Sequence, residues 1–264
     1  MNNMNCANYP VVILCGGKGT RIREETDNKP KSLVEIGNRP ILWHIMKTYA
    51  QYNCTNFVLC LGYKGEAIKS YFLNYKALNS DFILGDPKGM QVLSECAESN
   101  WSVTLASTGL EAMTGARIKR IERYIETDNF LVTYGDGVAD INIEELLKFH
   151  LGHGKIGTVT GVSYSSRFGE LTTAEDRVVA FNEKPAKVGW ISGGFFVFKK
   201  EVFKYLQEED NCVLEKEPLE RLAAKGELMV YKHKGFWQCL DTFRDKMILN
   251  DLWNSGDAKW KTWV

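Results

Sequence analysis

The sequence predicts an α/β protein built on a Rossmann-like, mixed but mostly parallel sheet flanked by helices. Three observations carry that reading. Short apolar runs alternate with amphipathic stretches through the first half of the chain, the pattern of a sheet covered by helices. The first run, Val11-Val12-Ile13-Leu14, passes almost directly into a glycine turn, Gly16-Gly17-Lys18-Gly19, as a strand does when it ends at a ligand crevice. Finally, 44% of the 264 residues are hydrophobic, enough for one sizeable core.

Each element has its own warrant. The apolar run at 11–14 reads as a buried strand because it is short and bounded by turn residues. Further strands are expected at 57–61, 103–106 and 130–134, with helical spacing over 41–52 and 66–72 between them. The stretch 142–150 reads as a helix capped by Asn142, with Ile143, Leu146 and Leu147 on one face. The second half is richer in strands, at 157–164, 178–182, 192–198, 228–232 and 238–240. A helix near 217–225 tolerates Pro218 in its first turn and stops at Gly226, and a last amphipathic helix covers 243–253. No linker, repeat or low-complexity segment interrupts the chain, so the halves are expected to share one continuous sheet.

Lysine plus arginine and aspartate plus glutamate both number 33, which excludes a global basic field for nucleic acid. Seven cysteines, at 6, 15, 54, 60, 96, 212 and 239, form no C-x-x-C pair. An odd count in apolar runs implies reduced thiols and a cytoplasmic location, not a disulfide frame or a zinc site. No apolar run approaches the length of a membrane span, and Met1-Asn2-Asn3-Met4-Asn5 lacks the charge and apolar core of a signal segment.

The glycine turn, with Arg21 and Lys31 downstream, suits a polyphosphate, since exposed backbone N–H groups and nearby cations favour anions. Two commoner motifs do not fit. A dinucleotide fingerprint starting at Gly17 would place Ile22 where a third glycine or alanine belongs. A P-loop needs its lysine after the second glycine, whereas Lys18 precedes Gly19 and Thr20.

The words that do match are Gly17-Lys18-Gly19-Thr20-Arg21 and, about ten residues on, Pro30-Lys31, continued by Ser32-Leu33-Val34-Glu35-Ile36-Gly37 and Pro40-Ile41-Leu42-Trp43-His44-Ile45-Met46. On these words the chain resembles the sugar-nucleotidyltransferase family, with the resemblance running from Val11 to Trp263. It implies one nucleotidyltransferase domain over 1–264, with a nucleotide half at about 9–140 and a sugar-phosphate half at about 141–264. It implies transfer of a cytidylyl group from CTP to α-D-glucose 1-phosphate, giving CDP-glucose and pyrophosphate with Mg²⁺ as cofactor. It further implies a homo-oligomer, a hexamer, serving bacterial surface polysaccharide (O-antigen) synthesis, with no nucleic-acid or membrane partner. A different sugar phosphate, or UTP or dTTP as donor, would leave the same words. Rivals from other classes are a non-catalytic sugar-nucleotide sensor and an NAD-dependent oxidoreductase, in which Glu35 would imitate the acidic ribose contact.

The resemblance also assigns residues. Leu14, Gly16, Gly17, Gly19, Thr20, Arg21 and Lys31 would hold the nucleotide, with Arg21 on the β- and γ-phosphates and Lys31 at the α-phosphate. Asp136, in Tyr134-Gly135-Asp136-Gly137, would pair with Asp241, in Cys239-Leu240-Asp241-Thr242, as the metal ligands. From the residues alone, Asp136 is equally a turn aspartate and Asp241 a helix cap. Glu183-Lys184-Pro185 matches a word in which the lysine grips the sugar phosphate and the glutamate its hydroxyls, although it also reads as a charged turn. Gly169, Gly193 and Gly194 would let a sugar approach the backbone, or mark bulges. Thr114, Gly115 and Arg117 belong to Met113-Thr114-Gly115-Ala116-Arg117, a nucleotide word in which Ala116 replaces the usual second glycine. That stretch reads alternatively as a helix start capped by Thr114, with Arg117 on a solvated face. Arg21, Lys31, Asp136 and Lys184 would act directly on the reacting phosphates. His44, His150, His153 and His233 are assigned to surface or packing, since a sugar phosphate oxygen is already anionic and needs no base.

Overall fold

Every residue of Val11–Cys15 (β1) is buried, because this strand lies inside a seven-stranded sheet and is flanked on both edges. The structure, a computed structural model, describes residues 6–86, 89–94, 96–164, 170–182 and 189–263. The remaining sheet strands are β2 (Asn56–Leu61), β3 (Ser102–Ser107), β4 (Asn129–Tyr134), β5 (Gly157–Tyr164), β6 (Gly189–Lys199) and β7 (Leu228–His233). Their spatial order is β7-β5-β6-β4-β1-β2-β3. All neighbours are parallel except across β6, which runs antiparallel to both β5 and β4. The expected mixed, mostly parallel sheet spanning both halves is therefore present.

Helices cover the sheet, and the alternation of side chains along β1 sorts them. Val11, Ile13 and Cys15 face a core shared with α1 (Ile41–Ala50), α2 (Gly65–Leu73), α4 (Ile143–His153) and α6 (Phe243–Asn254). Val12 and Leu14 face the opposite core, with α3 (Thr114–Arg120) and α5 (Glu217–Ala224). As the sequence implied, Asn142 caps α4 by accepting a bond from the Glu145 N–H at 3.1 Å; the helix runs on to His153, where Gly154, in the left-handed region at φ 66°, ends it.

Three expectations change. The strand near 178–182 is not part of the main sheet; Arg177–Asn182 pairs with Glu170–Ala174 as a separate ribbon. Trp237–Cys239, expected as a strand, also stands apart and pairs antiparallel with Gly137–Ala139. A further hairpin, Phe82–Asp86 with Gly89–Val92, was not anticipated, because its residues are largely exposed and carry no buried alternation.

Candidate active site

From β1 the chain crosses to β2 and β3 on one side, then returns to β4 on the other side of β1. Such a reversal opens a crevice beyond the carboxyl ends of the two central strands. Gly16 and Gly17 leave β1 there, and Gly135 and Asp136 leave β4 beside them; the Gly135 N–H donates to the Leu14 carbonyl at 3.1 Å. A cavity of about 460 Å³ occupies the crevice, lined by residues of both strand ends.

The two aspartates meet through the small ribbon. Cys239 pairs with Gly137, and the Leu240 N–H donates to the Asp136 carbonyl at 2.8 Å, which sets Asp241 next to Asp136. Asp241 then precedes α6, whose capping box is formed by Thr242 and Asp245. The Asp245 carboxylate also accepts from the Asp241 N–H at 3.2 Å, so the cap positions the site carboxylate as well as starting the helix.

Lys31 joins them. Its Nζ lies 2.6 Å from Asp136 Oδ2 and 2.5 Å from Asp241 Oδ1, while Arg21 reaches Asp241 Oδ2 at 3.3 Å. Burial opposes the charge on Lys31, but the two carboxylates outweigh it and raise its pKa. Burial likewise works against the Asp241 carboxylate, yet Lys31 and Arg21 prevail and lower its pKa. The cluster is thus two cations on two carboxylates. Burial pushes the Cys15 thiol up to about 12 and the Cys239 thiol to about 11, so both stay protonated and neither is a nucleophile.

Arg117 is placed otherwise than its sequence suggests. It is 5% exposed, and its guanidinium donates to the carbonyls of Gly16 (3.0 Å), Leu61 (3.1 Å) and Gly109 (2.7 Å) and to the Thr108 hydroxyl (2.9 Å). It lines the cavity but is not on a solvated face, and its guanidinium ties the glycine loop to the ends of β2 and β3. Gly16 lacks a side chain for this reason, since a Cβ there would lie 2.2 Å from the Arg117 guanidinium. Thr114 lies at the first turn of α3, where its hydroxyl donates to Glu215 at 2.6 Å and accepts from the Leu214 N–H at 2.9 Å. Gly115 packs against Cys212, and Ala116 is fully buried in the helix away from the cavity, so its methyl group disturbs nothing there.

Leu14, Gly16, Gly17, Lys31, Thr114, Arg117, Asp136, Gly193 and Asp241, all singled out in the sequence, line the cavity. Gly19 and Thr20 form the turn leading to Arg21, with Gly19 at φ 62°. Between Val159 and Gly161 the β5–β6 register shifts, and Gly193 and Gly194 fall in the resulting irregularity. Gly194, at φ 78°, lies against the Tyr134 ring, which a Cβ would approach to 2.4 Å. Gly169, Glu183 and Lys184 lie outside the described residues. Sequence reasoning missed Tyr134, whose hydroxyl donates to Glu215, and Trp237, whose indole N–H donates to the Gly193 carbonyl at 2.8 Å. Tyr134 sits in the word already singled out for Asp136, and Trp237 lies four residues before Asp241; that adjacency was the available signal.

A switch-point crevice with a glycine loop, two cations and two converging carboxylates defines an enzyme that handles phosphate groups. Residues 10–250 match the nucleotidyl transferase family, and the chain belongs to it. It is 47% identical over 254 residues to the glucose-1-phosphate cytidylyltransferase of Salmonella typhimurium, covering 96% of this chain and 98% of that one. It is 46% identical over 253 residues to the "Probable glucose-1-phosphate cytidylyltransferase" of Bacillus subtilis, covering 96% and 99%. Among solved structures, HddC from Yersinia pseudotuberculosis superposes with a TM-score of 0.67 at 22% identity, over 93% of this chain and 99% of that one, a likeness of fold.

Proposed function

We propose that the chain is an enzyme that joins CTP and α-D-glucose 1-phosphate into CDP-glucose and pyrophosphate. The observation that carries this is the convergence of Lys31, Asp136 and Asp241 beside the glycine loop, in a chain whose likeness to the cytidylyltransferases named above extends over nearly its whole length.

Arg21 and the amides of residues 16–19 bind the β- and γ-phosphates, and Lys31 neutralises the α-phosphate as two anions meet. The sugar phosphate oxygen attacks in line, so catalysis consists of positioning and charge stabilisation. No histidine lines the cavity among the described residues, in keeping with a reaction that needs no base. Glu183 and Lys184 hold the sugar phosphate, while Gly169, Gly193 and Gly194 give it room at the backbone. Thr114 and Gly115 shape the nucleotide end, and Arg117 serves it by fixing Gly16. The donor set of Asp136 and Asp241 fits Mg²⁺: two hard carboxylates converge on one point, which a positive charge from Lys31 already occupies. Bound there, Mg²⁺ supplies charge neutralisation of the reacting phosphates. The active form is a homo-oligomer, a hexamer.

The test is a matrix of nucleoside triphosphates against sugar 1-phosphates, read by pyrophosphate release. With glucose 1-phosphate, CTP should exceed UTP and dTTP in kcat/KM by at least ~10²-fold, since each unpaired polar group on the wrong base costs roughly 1–3 kcal/mol. Galactose and mannose 1-phosphates should be poorer acceptors by a smaller margin. Equal rates with CTP and UTP would overturn the base assignment and leave the transfer chemistry standing. No pyrophosphate from any pair, with tight NAD binding, would point to the oxidoreductase instead.

A further inference from the structure

The cations that the proposed reaction needs on phosphate are both held by the carboxylates that the proposed metal needs. Lys31 Nζ is 2.6 Å from Asp136 and 2.5 Å from Asp241, and the second oxygen of Asp241 belongs to Arg21. The Lys31 side chain is only 15% exposed, so water screens this contact less than it would a surface pair. Its backbone is pinned in a 3₁₀ turn by the Leu33 N–H to Pro30 carbonyl bond (2.8 Å) and the Val34 N–H to Lys31 carbonyl bond (3.0 Å). Any exchange at this point is therefore a swing of the lysine side chain and not a movement of the chain.

An ammonium and a divalent ion compete for the same carboxylate lone pairs, and two cations at one point repel. We propose that Lys31 is a built-in competitor for the divalent-cation site: the ion enters by displacing the ammonium from Asp136 and Asp241, and the displaced ammonium is thereby freed for the nucleotide phosphate. The proposal rests on the reading of the two aspartates as cation ligands. It gives Lys31 two functions, holding the carboxylates together without metal and coupling cation entry to phosphate binding. By linkage that coupling is reciprocal, so a triphosphate that draws Lys31 away also opens the carboxylates to the ion.

The test measures Mn²⁺ binding to the nucleotide-free protein by the loss of free-ion paramagnetic resonance signal. Lys31→Met should bind Mn²⁺ at least about tenfold more tightly than wild type, because an unpaired carboxylate couple has a strong demand for a cation. Adding Asp241→Asn to that variant should abolish the gain. If Lys31→Met leaves the affinity unchanged while Asp241→Asn alone weakens it, the aspartates hold the ion but the competition is refuted. If affinity ignores all these substitutions, the aspartate reading falls too. A measurement on the unaltered protein does not depend on the variants folding: Mg²⁺ alone should speed modification of Lys31 by an amine-reactive probe relative to Lys29, read by mass spectrometry, and an unchanged ratio refutes the proposal.

Discussion

Asp136 and Asp241 illustrate how a residue acquires a role from its neighbours. Each is an ordinary turn or cap aspartate by local pattern, and each becomes a site carboxylate because Lys31 stands between them. Asp136→Asn and Asp241→Asn should each reduce turnover by ~10²-fold or more, since each removes a ligand from the ion stabilising the phosphates. Steady-state kinetics at saturating Mg²⁺, with circular dichroism to verify folding, checks this; near wild-type turnover would end the pairing. Lys31→Met should lower kcat and kcat/KM together, because a cation at the α-phosphorus matters more as charge accumulates. A variant with normal kcat and a raised KM for CTP would make Lys31 a ground-state binder.

At the scale of elements, the site depends on how α6 begins. Asp245, 1% exposed, accepts from the backbone N–H of Thr242 at 2.8 Å and of Asp241 at 3.2 Å, and from the Thr242 hydroxyl and the Gln238 amide. Removing its side chain breaks the reciprocal half of the capping box and leaves those donors unpaired beside the site. Asp245→Ala should cost roughly 2 kcal/mol in stability and lower turnover as well, because Asp241 loses its backbone anchor. Paired denaturant titrations and kinetics would separate the two effects, and a destabilised variant with full turnover per folded molecule would confine Asp245 to the helix. The β6 irregularity is the counterpart on the sugar side, where Trp237 fastens the Gly193 carbonyl.

At the scale of the whole molecule, two buried histidines contribute to acid sensitivity. His44 lies among Trp43, Trp253, Trp260 and Trp263, with Nε2 2.9 Å from the Ile36 carbonyl and Nδ1 facing the Trp260 N–H at 3.4 Å, an arrangement suited to the neutral ring. Burial pushes both His44 and His150 down to about 4 from the ordinary 6.5. The unfolded chain therefore binds more protons below pH 6.5. Their stabilisation is complete above that value and is lost as pH falls towards about 4, on the order of 3 kcal/mol for each ring. Melting temperature should drop steadily from pH 7 to pH 5, and a flat profile over that window would mean that the rings titrate normally.

Much of this protein was legible in its residues, and the remainder depended on distance in space. Apolar runs between turn residues identified all seven sheet strands; in the central β1, β2 and β4 burial on two faces demands such runs, whereas the edge strands β3 and β7 carry them while half-buried or exposed. The glycine loop and both aspartate words were likewise readable, since backbone exposure and strand-end position are local properties. Which strands pair is not local: 178–182 reads as a sheet strand but pairs in a separate ribbon. Arg117 reads as part of a solvated helix face because nothing in its helix announces that the carbonyls of Gly16, Leu61 and Gly109 will converge on it. The sequence by itself determined the α/β class, the phosphate loop and the identity of the charged groups. Only the tertiary structure decided that Asp136 and Asp241, 105 and 210 residues from Lys31, would share its one ammonium. Charge is a property of a residue, but neutralisation belongs to the fold that brings charges together.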